Sequence, residues 1–477
     1  METDLFQRIN ELILLTNQKI AEGLSDGTLM YYQRIINKVT VDKFNYDSNG
    51  FITYHSTIQS ILKNSGFEID GRERIKESVL RSKEYLSALD SLNIIYKDFN
   101  NVNHLDMFVS QIIRLIETNS TLTPSKIDFL TKTFIKELNN EPVKYGATVE
   151  LEGIIMMIDK LDIAEGVILR RPEAKDIEGE FFYNDPLPLI NPSAILNIEI
   201  LGKGAGADLQ KYVEKVISLL KLFKIGSVDK IKYKSYSDSI LSFQGSISSG
   251  FRKLNLEKYS LSNKDKDKLM EFWNKFFNIL PEGFYGFNSS KMDYLTIAFN
   301  RYTDSLLNDI PEERVANAVM GLEAIFLNNE GELKYKLSKR ISKIMGLLGC
   351  NAITIDQTVM EAYKIRSKFV HGDHLEANKI IELEKIFRGE NKRNGEKIFN
   401  ILDNDETMSD FIRKIIELLR VSIILITLQR DGENYSKNKM KKDFINLIDN
   451  SLIDKEKEEE LKRLLLTLSE NITIIEL

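Results

Sequence analysis

Two pieces of sequence decide how this chain reads: AVMGLEAIFLNNEGELKYKLSKRISKIMGLLG at 318–349 and VMEAYKIRSKFVHGD at 359–373. Apolar residues recur in both at the spacing of a helix. Val315, Val319, Leu322 and Phe326 form one stripe, Leu333, Leu337, Ile341, Ile344 and Leu348 a second, and Val359, Ala362, Tyr363, Phe369 and Val370 a third. Pro311, Glu312 and Glu313 open the first helix: proline there forfeits no hydrogen bond, and the carboxylates face the positive end of the dipole. The second helix stops near Gly349, and the third is expected from about Asp356 to Gly372. Arg366 falls on the third apolar stripe. A charge in that place needs a partner, and Glu323 on the neighbouring predicted helix is the candidate.

Helical text continues on both sides. Residues 265–280 carry the only tryptophan, Trp273, and end at Pro281. A further helix is expected to enter through Ser289 or Ser290 with Asp293 in its first turn, and a last long one spans 409–428. Short connections between helices with one apolar stripe each predict an up-and-down bundle. Upstream, 147–159, 166–171, 194–201, 230–236 and 240–246 are β-branched runs broken by Gly, Pro and Asn, around a helical stretch at 209–223. Residues 1 to about 140 read as helices joined by short polar loops. The expected class is therefore α+β, mostly α, with a helical N-terminal domain at 1–140, an α+β module at 141–255, a helical bundle at 256–435 and a C-terminal helical extension at 436–477.

With 43% hydrophobic and 29% charged residues and only 8 prolines in 477, the composition is that of folded domains rather than of a disordered or fibrous chain. Cys350, the single cysteine, excludes an internal disulfide and a cysteine-based zinc site, which implies a reducing, cytoplasmic setting. The N-terminus lacks the features of a signal peptide, and the apolar run VSIILITL at 421–428 is too short to span a bilayer, so no membrane partner is expected. A formal net charge of -6 argues against bulk electrostatic coating of nucleic acid. Residues 331–368 invert that balance locally, with eight basic residues against three acidic ones. This excess is either a binding surface or a solvated helix face.

Among four histidines, His55, His104, His371 and His374, His371 stands five residues after Arg366, an Arg-x4-His spacing. The bare spacing is unspecific. Its context is more telling: the Leu322-Glu323-Ala324 helix, the helix start at 335–340 and the Tyr-x-x-Arg-Ser-Lys-x-x-His-Gly ending resemble the HEPN domain of the Apea-like family, most strongly over 310–375. The resemblance implies a metal-independent endoribonuclease with Arg366 and His371 as catalytic residues, acting on RNA as a homodimer paired through the HEPN helices, in a bacterial toxin or antiviral defence setting. It names no cofactor and leaves open an activating ligand or partner protein. The alternative it leaves is a non-catalytic RNA-binding or scaffolding HEPN protein.

Those residue types suit the chemistry. RNA cleavage by its own 2′-hydroxyl needs proton transfer near neutral pH, which histidine provides, and a fixed cation over the phosphate, which arginine provides. Five residues of helix set Arg366 and His371 about 140° apart and about 7.5 Å along the axis, so they do not share a face. Two copies would bring two of each to one phosphate. Ser367 stands where such ribonucleases often carry Asn, Asp or His. Glu323 is the expected support for Arg366, His374 an auxiliary proton donor or phosphate contact, and Lys364 and Lys368 RNA contacts. A metal cluster at His371, Asp373, His374 and Glu376 is disfavoured because Gly372 breaks the helix that would align the imidazoles. Gly202-Lys-Gly-Ala-Gly-Ala207 matches a dinucleotide fingerprint formally, yet no acidic strand end follows about 20 residues later, so it reads as a strand-to-helix turn.

Overall fold

The computed structural model describes residues 2–47, 50–97, 100–117, 122–182, 192–202, 207–241, 246–248, 257–286, 293–328, 331–370, 408–429 and 437–469. The protein is mostly α-helical with β-sheet segments, as composition and periodicity predict. It divides into two compact units, one of residues 1–150, 165–210 and 230–250, the other of 151–164, 211–229 and 251–477. No helix among the described residues is long and apolar enough to cross a membrane.

In the first unit, α1 (Glu2–Asp26) projects Leu5, Ile9, Leu12, Ile13 and Ile20 from one face into a core shared with Phe67, Phe108 and Phe134. The core is completed by α2 (Ile69–Leu80), α3 (Lys83–Ile95), α4 (Asn101–Glu117) and α5 (Pro124–Leu138). Ser82 and Thr123 cap α3 and α5 by accepting from the amides of Tyr85 and Lys126. Between α1 and α2 the chain departs from the helical expectation. It forms an antiparallel hairpin of β1 (Tyr31–Tyr46) and β2 (Ile52–Phe67), closed by the Gly50 amide donating to the Asp47 carbonyl at 3.1 Å, with Gly50 at φ +80°. The other edge of β1 pairs with β7 (Gly179–Phe182), leaving β2 at the sheet edge.

The remaining strands of this unit run β10–β9–β3–β8–β6, namely β3 (Val143–Glu152), β6 (Val167–Arg170), β8 (Ala194–Gly202), β9 (Asp229–Ser237) and β10 (Ser246–Ser248). The short helix α6 (Ala174–Ile177) follows β6, and Asp176 holds the Arg170 guanidinium by two bonds of 2.6 and 2.7 Å. β6 and β8 are antiparallel, unlike the parallel strands a dinucleotide fold would require. The turn expected at 203–206 lies outside the described residues. The strand expected over 240–246 begins only at Ser246. Ile240 instead joins the helical core, and the Glu137 carboxylate accepts from the amides of Ile240 and Leu241.

The second unit holds β4 (Ile154–Met156), β5 (Lys160–Ala164), β11 (Tyr259–Leu261) and α7 (Ala207–Phe223), followed by α8 (Lys266–Phe276), α9 (Tyr294–Leu307), α10 (Pro311–Phe326), α11 (Leu333–Leu347) and α12 (Ala352–Val370). After these come α13 (Met408–Gln429), α14 (Lys437–Ser451) and α15 (Lys455–Ser469). Two helix starts differ from expectation. Asp293 is the N-cap of α9, accepting from the Thr296 amide at 2.8 Å, while Ser289 and Ser290 lie outside the described residues. Asn351 opens α12 by accepting from the amides of Ile353 and Thr354, ahead of the predicted start at Asp356.

Helix α10 is central, packing on α9, α12 and α13. Gly321 permits this: a Cβ there would meet the Leu419 side chain at 2.6 Å and the Ala298 carbonyl at 3.3 Å. Arg420, buried in α13, is held by Glu417 and donates to the carbonyls of Leu222 and Phe223 at 2.6 and 3.1 Å, satisfying the last turn of α7 with a cation at the negative end of its dipole.

Candidate functional site

Helix α12 buries Ile355, Thr358, Val359 and Ala362, and beyond Ala362 the stripe becomes half-buried through Tyr363, Arg366 and Phe369. Arg366 thus occupies an apolar stripe where it begins to meet solvent. Its Nη2 donates to Glu323 Oε2 at 3.0 Å, with the arginine side chain 22% and the glutamate 15% exposed. The helices α10 and α12 pack against each other, which places these partners in reach although they are 43 residues apart. The guanidinium carbon lies 5.7 Å from the centre of the Tyr363 ring, three residues earlier on the same helix.

The pair is only partly satisfied. Arg366 Nε and Glu323 Oε1 are buried and, among the described residues, have no hydrogen-bond partner. Burial raises the Glu323 carboxyl above its ordinary value, and the opposing pull of Arg366 does not cancel it. Burial likewise raises Tyr363, with the Glu323 charge adding to it. The arginine is therefore anchored through one nitrogen beside a carboxylate that ionises at a cost, with its Nε buried and the side chain 22% exposed as a whole.

Beside this pair lies an open groove of about 690 Å³, lined by Glu332, Leu333, Lys334, Tyr335, Met360 and Tyr363. It joins the start of α11 to the middle of α12, and Tyr363 belongs to both the groove and the arginine's surroundings. Tyr335 is 58% exposed, with the Lys339 ammonium 5.5 Å from its ring centre. Aromatic rings and a lysine in an open groove can take a flat, unstacked ring that carries a phosphate. The periodicity of α11 gives no hint of this groove, because Tyr335 stands off its buried face and Leu333, at the helix start, is exposed although it lies on the apolar stripe.

Of the basic excess at 331–368, much is engaged internally. Lys339 pairs with Asp356 at 2.9 Å and Lys343 with Glu458 at 2.9 Å. Arg340 is buried, donating to both oxygens of Asp449 at 2.7 Å and to the Phe326 carbonyl at 2.6 Å. Lys364 pairs with Glu361 on the exposed face of α12, Lys368 is exposed, and Ser367 is half-buried. His371 and His374, with the acidic residues at 373 and 376, lie outside the described residues. Among the predicted site residues, the structure thus brings Arg366 to Glu323 and sets Lys364 and Lys368 on an exposed face.

Comparison with protein-family models, curated proteins and solved structures finds no match to this chain.

Proposed function

We propose that this protein is a metal-independent endoribonuclease of the HEPN type, cleaving RNA by attack of the 2′-hydroxyl at a site to which two copies each contribute Arg366 and His371. The observation that carries the reading is the setting of Arg366, anchored through Nη2 by Glu323 at the rim of the core, with its side chain 22% exposed. A guanidinium held this way keeps donors for a phosphate while losing little freedom when it binds one. In the reaction, a neutral His371 takes the proton of the 2′-hydroxyl, whose oxygen bonds phosphorus as the 5′-oxygen leaves. A protonated histidine of the second copy gives that oxygen its proton. The guanidinium stabilises charge on the non-bridging oxygens. Ser367 and His374 are auxiliary polar contacts, and Lys364 and Lys368 follow the RNA backbone. A toxin or antiviral role in the cytoplasm, released by an activating ligand or partner, is the setting this chemistry suits.

The test is incubation of labelled tRNA and mRNA with purified wild-type, Arg366→Ala and His371→Ala protein without added metal. Fragments with 2′,3′-cyclic phosphate ends from wild type alone are expected. Intact RNA in every lane, across a range of salt, RNA and candidate activators, would overturn the reading.

A second reading is RNA binding or scaffolding without cleavage, and its scaffolding form is favoured by the pairing of Lys339, Arg340 and Lys343 with carboxylates of neighbouring helices. These carboxylate partners make the basic run largely a packing device. Binding that survives in His371→Ala, with no cleavage in wild type, would select it.

A further inference from the structure

We infer that the outer edge of the N-terminal hairpin is a self-pairing surface, at which β2 joins antiparallel to β2 of a second copy about a twofold axis through Ser60. This inference stands apart from the ribonuclease reading and rests on the first unit alone.

Strand β2 spans sixteen residues, and among the described residues only β1 pairs with it, along one edge. The other edge carries a long row of backbone donors and acceptors. Exposed edges of folded proteins are usually short, bulged or studded with charge and proline to prevent pairing. None of those devices guards the middle of β2. Its sequence, ITYHSTIQSILKNSGF, contains no proline, and its only ionisable cations are His55 and Lys63. Its register with β1 is unbroken from Gln33↔Asn64 to Val41↔Ser56.

The side chains single out a second copy as the occupant. Cross-strand partners Ile35↔Leu62, Asn37↔Ser60 and Val39↔Ile58 share one face of the hairpin. On that face Ile35, Leu62 and Ile58 are 51%, 63% and 49% exposed, whereas Asn37 and Val39 of the inner strand are buried. Antiparallel pairing of β2 with itself about Ser60 sets Leu62 opposite Ile58 of the second copy, and Ile58 opposite its Leu62. Each apolar row then runs Ile35, Leu62, Ile58 of the second copy and Val39 of the second copy, and the twofold repeats it. The polar residues Asn37 and Ser60, already bonded at 2.8 Å, fill the row between. Lys63 meets Thr57 of the second copy and His55 meets its Ser65, so no like charges oppose. A foreign strand would have to supply this pattern, whereas a second copy carries it already.

The test uses the full chain in a Cys350→Ser background. Opposed residues in an antiparallel ladder bring their Cα atoms to about 4.5–5.5 Å, within disulfide reach. Ser60→Cys is therefore expected to crosslink to itself under mild oxidation. Ser56→Cys, about 27 Å from its own copy in this register, is not. In sedimentation velocity, Ile58→Lys with Leu62→Lys opposes like charges and is expected to weaken self-association about tenfold or more. Ile58→Glu with Leu62→Lys opposes unlike charges across the axis and should keep it. These positions are exposed, and far-ultraviolet circular dichroism confirms that each variant is folded. Failure of Ser60→Cys to crosslink, or a Ser60→Cys crosslink that persists unweakened beside Ile58→Lys and Leu62→Lys, would overturn the proposal. Either result leaves the dimer of the ribonuclease reading, which uses the second unit, untouched.

Discussion

Replacing Arg366 by methionine tests whether Glu323 and the arginine form one energetic unit. Methionine keeps the apolar stem on the stripe of α12 and removes the cation that pairs with Glu323. At about 4 Å and an effective dielectric near 20, the gross attraction is about 4 kcal/mol. Burial already raises the Glu323 carboxyl despite that attraction, so the net worth of the intact pair is small. Removing one partner leaves the other's burial unopposed. A single bond between groups 22% and 15% exposed places the loss near about 2 kcal/mol at pH 7.5, below the 3–5 kcal/mol or so of a fully buried broken pair. The carboxyl can escape this cost by binding a proton. A group whose folded-state pKa is raised contributes stability that is present below its unfolded value, near 4.3, and is lost as pH rises through the folded value. At pH 5 protonating Glu323 costs only about 1 kcal/mol, which caps the defect there. Arg366→Met should therefore lose more stability at pH 7.5 than at pH 5, and Glu323→Gln added to it should recover most of the loss. Trp273, buried in the same unit, reports urea unfolding by fluorescence. Equal losses at both pH values, or a double variant no better than Arg366→Met, would refute the coupling.

Three further outcomes follow from the same geometry. His371→Ala and Arg366→Ala should each lower RNA cleavage about a hundredfold or more while leaving RNA affinity within a few-fold, measured by single-turnover kinetics and filter binding. Tyr335→Ala should weaken RNA binding by about 1–3 kcal/mol, the worth of one stacked base, and raise KM with kcat little changed; an unchanged KM would remove the groove from the RNA path. Arg340→Ala, which strands Asp449 and the Phe326 carbonyl, should destabilise the second unit by about 2–4 kcal/mol in the same urea assay, and a neutral outcome would contradict its structural role.

How much of this was legible in the sequence varies with how local the cause is. The start of α10 at Pro311 follows from proline and two carboxylates within one turn, and the Glu323–Arg366 pair follows from a charge on an apolar stripe with one carboxylate on the adjacent stripe. Both arguments use residues whose preferences act locally or across one helix contact. The basic excess at 331–368 was legible as a number but not as a function. Arg340 and Lys343 find their carboxylates on α14 and α15, more than a hundred residues away, and no local rule assigns such partners. The groove was missed because it is made by what α11 leaves unburied.

The hairpin is the larger miss, and its cause is instructive. A strand announces itself by alternation only when one face is buried. Along β2 most positions between Ile52 and Lys63 are exposed or half-buried on both faces, so the apolar residues follow no clean period of two. The register comes instead from β1, through Ile35↔Leu62 and Val39↔Ile58, and β1 in turn pairs along its other edge with β7, about 140 residues later. The local signal was the sequence DSNG at 47–50 between β-branched runs, where Gly50 adopts the positive φ that the closing turn requires. A sequence that spends isoleucine and leucine on an open strand, at positions that match one another about Ser60, carries a pattern that a single copy does not use. Laid against itself about Ser60, β2 sets Ile58 opposite Leu62, which is why the inferred edge is tested by residue opposition rather than by affinity alone.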